Sequence, residues 1–140
     1  AHAAPMPRET GRAFALQTDD WAERMRALAP FAFASGVDED LLNGFIEKKS
    51  NDVQDPVGYA AQIQAVLGHD TYERLPQIGA PTLILTGDDD RVIPAASSDV
   101  LHERIPGSEW TIFEESSHMP HVEEPEQFLE TVEAFLRTID

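Results

Sequence analysis

The sequence predicts an α/β fold in which a parallel sheet carries helices on both faces, with an all-helical segment in front of it. Three observations predict this. First, Thr82 to Thr86 is a short β-prone apolar run between Pro81 and Gly87, as expected for a strand buried on both faces. Second, a helix pattern opened by Pro94 separates it from a second such run, Trp110, Ile112 and Phe113, and a long amphipathic stripe follows. That order is β-α-β-α, the sign of strands paired in parallel through a right-handed crossover. Third, residues 18–75 carry helical periodicity and no strand-like run.

Taken in order, residues 1–17 hold Pro5, Pro7 and Gly11 and little periodicity, and read as irregular. Thr18 or Asp19 is placed to cap a helix to about Ala29, with Trp21, Met25 and Leu28 on one face and Pro30 closing it. Asp38 caps a second helix, with Leu41, Leu42, Phe45 and Ile46 inward and Glu47, Lys48 and Lys49 outward. Asp55-Pro56 starts a third, since Asp caps and Pro suits the first helical position. It carries Tyr59, Ile63, Val66 and Leu67 on one side and ends at Gly68. A turn over Asp70 to Leu75 and a connector over Leu75 to Pro81 lead to the first strand. The helix after Pro94 directs Val100, Leu101 and Ile105 inward and stops at Pro106-Gly107. Pro125 starts the last helix, with Phe128, Leu129, Val132, Phe135, Leu136 and Ile139 in one stripe. Each such side chain is worth roughly 1.5–3 kcal/mol when buried. Two strands and two helices do not bury their own apolar faces, so the segment is expected to complete a larger sheet.

Composition narrows the partners. The net charge of −16 over 140 residues argues against nucleic acid, whose phosphates need Lys and Arg, and against anionic membrane surfaces. The acids are dispersed, which suits solubility. There is no cysteine, so disulfides and thiolate metal sites are excluded, and a reducing, cytoplasmic setting is favoured. No run of about 18 apolar residues is present. The chain opens Ala1-His2-Ala3 with no initiator Met and no signal pattern. It is expected to begin at a cleavage point or to be one piece of a longer polypeptide.

The chemistry concentrates just past the two strands. Asp88-Asp89-Asp90 follows the first and His118 follows the second. Ligands bind at that edge of open α/β sheets. A carboxylate that holds one ring nitrogen of a histidine fixes its tautomer and stabilises the imidazolium, while the other nitrogen takes a proton from a serine nucleophile. An acid followed by a histidine, in that order, supplies the last two members of such a triad. The Gly-x-Ser-x-Gly elbow that comes first in it is absent from these 140 residues. For Asp90 the competing reading is an ordinary turn acid. Three adjacent acids lack the alternating spacing of a calcium loop. His121 forms His-x-x-His with His118, but without the glutamate of a zinc hydrolase, and a pocket-rim or packing role suits it better than a metal. His69 and His102 read as structural or solvated. Ser116 and Ser117 adjoin His118 without the strained turn that a nucleophile needs.

These segments resemble the C-terminal half of an α/β-hydrolase fold enzyme. The matching stretches are Pro81-Thr82-Leu83-Ile84-Leu85-Thr86-Gly87-Asp88-Asp89-Asp90-Arg91-Val92-Ile93-Pro94 and Ser117-His118-Met119-Pro120-His121-Val122-Glu123-Glu124-Pro125-Glu126-Gln127-Phe128. The resemblance implies that residues 18–75 are a helical cap and that residues 76–140 are the last two strands and helices of the core. It selects Asp90, the third residue after the strand-end Gly, as the acid, and His118 as the base. It implies hydrolysis of a small, largely apolar carboxylic ester or lactone through an acyl-enzyme, with no metal or organic cofactor. The serine elbow and oxyanion hole are then expected on a second polypeptide or an N-terminal half. Trp21, Met25 and Phe31 are the candidates for substrate contact, with interhelical packing as the competing reading. Similar tails occur in carboxylesterases, enol-lactonases, proline iminopeptidases, dehalogenases and epoxide hydrolases. A non-catalytic relative acting as a binding protein is the alternative from another class.

Overall fold

The structure is a computed structural model that describes residues 5–16, 18, 20–52 and 55–139. Its centre is a pair of parallel strands, β1 (Leu83–Gly87) and β2 (Glu109–Phe113), with Leu83 opposite Glu109 and Gly87 opposite Phe113. Helix α5 (Ala95–Arg104) connects them and packs on both. The connection turns at Gly107, whose φ of 72° is the left-handed conformation that glycine adopts without penalty. Inside the layer, the Thr86 hydroxyl donates to Ser98 Oγ at 2.6 Å and accepts from the Trp110 indole at 3.3 Å. Strand and crossover helix are thus joined through buried polar atoms that satisfy one another.

Four helices come before the strands: α1 (Arg8–Phe14), α2 (Trp21–Ala32), α3 (Glu39–Ser50) and α4 (Pro56–Gly68). Helix α1 lies where the sequence reads as irregular. It is held by a tertiary contact, since the fully buried Thr10 hydroxyl donates to the Arg91 carbonyl at 2.8 Å. The cap of α2 is Asp20, whose carboxylate accepts from the N–H groups of Ala22 and Glu23 at 2.8 and 3.2 Å. Thr18 instead donates its hydroxyl to Glu23, and Asp19 lies outside the described residues. Helix α2 also runs through Pro30 to Ala32. A proline so near the end removes one backbone bond from the last turn, and Phe33 N–H still closes on the Ala29 carbonyl at 3.2 Å.

Helices α3 and α4 begin where expected, with Asp38 accepting from Leu41 N–H and Asp55 from Val57 and Gly58 N–H. Of the inward residues expected on α3, Leu42, Phe45 and Ile46 are half-buried and Leu41 is exposed. On α5, Val100 is half-buried and Ile105 is buried past the helix end, whereas Leu101 is exposed and Ser98 takes an inner position. A short 3-10 helix, Tyr72–Gln77, leads into β1. After β2 come the one-turn α6 (Pro120–Glu123) and α7 (Pro125–Ile139). Helix α7 rests on Phe113 through Phe128, with ring centroids 6.2 Å apart. Leu129, Leu136 and Ile139 from the rest of its stripe are exposed. The buried apolar side chains that make up the core are Ala29, Phe33, Leu75, Ile84, Val92, Ile105 and Phe113. Among the described residues no helix is long and apolar enough to cross a membrane.

Candidate active site

Both strands end at the same edge, and their following loops interlock. Asp88 N–H bonds to the Phe113 carbonyl at 2.9 Å and Asp89 N–H to the Ser116 carbonyl at 3.1 Å. The closeness depends on Gly87, because a Cβ there would run into the carbonyl oxygens of Ser116 and Ser117. That contact brings Asp90 and His118, 28 residues apart, into a hydrogen bond of 2.9 Å between Nδ1 and Oδ2.

The Asp90 carboxylate is fixed from both sides. Oδ2 receives His118, and Oδ1 accepts from the backbone N–H groups of Val92 and Ile93, each at 2.8 Å. Its side chain is 8% exposed against 35% for His118. Burial alone raises the carboxyl pKa and is the largest single influence. The hydrogen bond from His118, the Ile93 N–H, the charge of His118 and the Val92 N–H together outweigh it and hold the group below its ordinary value of 3.8. Asp90 is therefore an anion at neutral pH. An ionised carboxylate only accepts, so Nδ1 of His118 carries the hydrogen and Nε2 is left to accept a proton from elsewhere.

Beside His118 lies an apolar cavity of about 160 Å³, lined by Met119, Val92, Phe14, Phe45 and residues of α2 that include Met25 and Leu28. Of the three expected substrate contacts, Met25 lies in this wall. Trp21 instead donates its indole N–H to the Lys49 carbonyl at 2.7 Å and meets Tyr59 edge-on, tying α2 to α3 and α4. Phe31 lies beneath the Arg91 guanidinium, 5.8 Å from ring centre to carbon. Sequence reasoning missed Leu28 as a cavity residue, although the helical face that includes Met25 also carries it.

The neighbouring candidates have other partners. Ser116 and Ser117 are fully buried; Ser116 donates to Glu124 and Ser117 to the Asp89 carbonyl. Asp89 accepts from the Ser35 N–H and hydroxyl at 3.1 and 3.2 Å, which anchors the turn after α2. His121 stacks obliquely on Phe128, and His102 Nδ1 pairs with the Ser108 hydroxyl. Among the described residues no group of His, Asp and Glu is arranged to hold a metal.

The description "Alpha/beta hydrolase family" matches residues 1–131. A 3-oxoadipate enol-lactonase 2 of Acinetobacter baylyi is 32% identical over 136 residues, which cover 91% of this chain and 50% of that protein. A proline iminopeptidase of Clostridioides difficile is 36% identical over 73 residues, covering 52% of this chain and 25% of that protein. Among solved structures, an esterase from Exiguobacterium antarcticum superposes with a TM-score of 0.79 at 28% identity, over 93% of this chain and 48% of the esterase. The chain thus spans half or less of the length of these relatives. The family match extends over most of the chain and agrees with the parallel strand pair and its two terminal loops, so this chain belongs to the α/β hydrolase family.

Proposed function

We propose that the chain contributes the acid and the base of a Ser-His-Asp triad that hydrolyses a small, largely apolar carboxylic ester or lactone. The observation that carries this reading is the 2.9 Å contact between His118 Nδ1 and an Asp90 carboxylate whose other oxygen is held by two backbone N–H groups. Such a pair is pre-oriented, because neither ring nor carboxylate must move to make the imidazolium stable. In this reading His118 Nε2 takes the serine proton as the hydroxyl attacks the acyl carbon. His118 then returns the proton to the leaving alcohol, and the sequence repeats with water. The apolar wall with Met25 suits an uncharged substrate group.

The serine and the oxyanion-hole N–H groups lie on a second polypeptide or an N-terminal half, which also supplies the remaining strands. Residues 18–75 are the cap over the site and residues 76–140 the final part of the core. The exposed apolar stripe of α7 supports this, as does the share of each relative that the chain covers. Intact-mass analysis of the native particle, with and without a fluorophosphonate, tests the arrangement. It predicts a companion segment of roughly 12–18 kDa labelled once. A lone, unlabelled 15.5 kDa chain would contradict it and favour a binding protein.

A prolyl-type aminopeptidase is the second reading, favoured by the match to a proline iminopeptidase. Turnover of a prolyl arylamide above that of a short-chain aryl ester would select it.

A further inference from the structure

The histidine loop is held from a direction that the triad does not use. Glu123 ends the short helix α6, five residues after His118, and its carboxylate bridges two separate segments. Oε2 accepts from the N–H of Ser117 at 2.9 Å, and Oε1 accepts from the N–H of Ala34 at 2.6 Å. Ser117 immediately precedes His118. Ala34 lies in the turn after α2, on the cap side. The same turn is tied to His118 directly, since the His118 N–H donates to the Ala32 carbonyl at 3.1 Å. It is also tied to the acid loop, because Arg91 donates to the Phe33 carbonyl at 2.8 Å. The Glu123 N–H bonds back to the Met119 carbonyl at 3.0 Å, so its own backbone is fixed to the histidine loop.

These bonds close a ring through Glu123, Ser117, His118, Ala32 and Ala34. We infer that Glu123 is a positioning residue that locks His118 onto Asp90 by clamping the histidine loop to the cap turn. This role rests on the reading of His118 as the base. The two segments together need two acceptors. Both N–H groups lie outside helices and strands, so no ladder satisfies them, and that of the buried Ser117 needs a partner. A carboxylate offers two acceptor oxygens and makes charge-assisted bonds about twice as strong as neutral ones. Glutamine offers one acceptor, and its amide N–H₂ would face a second donor. Aspartate is one methylene shorter and spans only one of the two. The neighbouring Glu124 serves as the contrast. It accepts one side-chain bond, from the Ser116 hydroxyl, and an amide oxygen at that position still accepts it.

The test compares Glu123→Gln, Glu123→Asp and Glu124→Gln in the native, ester-cleaving protein. Two readouts are taken: kcat and KM, and the NMR resonance of the His118 Nδ1 hydrogen shared with Asp90. Displacement of a reacting group by about 1 Å costs on the order of 10²-fold in rate. Glu123→Gln is therefore expected to lower kcat by about 10–100-fold with KM little changed, and to shift or broaden the resonance. Glu123→Asp keeps the charge and is expected to give a smaller loss of the same kind. Glu124→Gln should leave both readouts unchanged. Folded Glu123 variants with an unaltered resonance and wild-type kcat would overturn the proposal. So would a fall in activity that follows lost melting temperature while the resonance stays put. If Glu123→Gln does not fold, Glu123→Asp decides by the same two readouts. The resonance is read without substrate, so its response separates this clamp from the triad reading, which fails instead if His118→Ala retains turnover.

Discussion

The strand-end loops and the outer surfaces of α4 and α7 treat their side chains in opposite ways. In the loops, the polar groups of Asp90, Ser116, Ser117, Glu123 and Glu124 are drawn inward and bonded to named partners. On α4, a helix without a charged residue, Val57 and Leu67 are each 77% exposed. On α7, Leu129 is 58% exposed. Apolar burial is the usual driving force of folding, so the opposite pattern would be expected of an ordinary surface. The chain thus bonds the polar groups of its strand-end loops to one another while it leaves apolar side chains of α4 and α7 exposed. The hydrogen bonds that hold Asp90 and His118 together come from residues of this chain.

Four substitutions test that contrast. His118→Ala is expected to cut ester turnover by about 10³–10⁶-fold without disturbing the fold, since triad members act as a unit. Steady-state kinetics beside circular dichroism checks this, and unchanged turnover removes His118 from the mechanism. Asp90→Asn should cost about 10⁴-fold, because an amide does not hold the same tautomer. It also carries a pH signature. The folded Asp90 carboxyl titrates below its ordinary value of 3.8. Its stabilisation is therefore fully present above that value and is lost as pH falls through the folded pKa. Melting curves of wild type and Asp90→Asn should differ most near neutrality and converge in acid.

Gly87→Ala should destabilise by about 3 kcal/mol or more, since the added carbon meets backbone oxygens that cannot swing aside. Denaturant titration measures this, and a near-neutral effect would mean that the two loops are not in contact. Leu67→Lys is the smallest expected effect, within about 0.5 kcal/mol in the isolated chain, as for other exposed positions. A larger loss in the native particle than in the isolated chain would show that α4 is covered there.

What was legible in the sequence was local. Asp38 and Asp55 cap their helices because the capping bond spans two or three residues. The two strands and the loops that carry Asp90 and His118 follow from short apolar runs with Pro and Gly at their borders. What was hidden depends on distant contacts. Helix α1 is pinned by Thr10 to Arg91, 81 residues away, and Pro5, Pro7 and Gly11 obscure it. Leu101 belongs to the expected apolar face of α5, yet Ser98 takes an inner place because Thr86 supplies its hydrogen-bond partner. The Glu123 clamp joins residues 89 apart, and no periodicity signals that. Trp21 shows the same limit, since its helical spacing gives no sign of the bond its indole makes to the Lys49 carbonyl, 28 residues away.

The most direct test of the central claim is the rate at which a fluorophosphonate labels the native protein, compared between wild type and His118→Ala. A single labelled serine outside these 140 residues is expected, with labelling slowed by orders of magnitude when the imidazole is removed. Equal labelling rates in the two proteins, or a label on a serine of this chain, would contradict it.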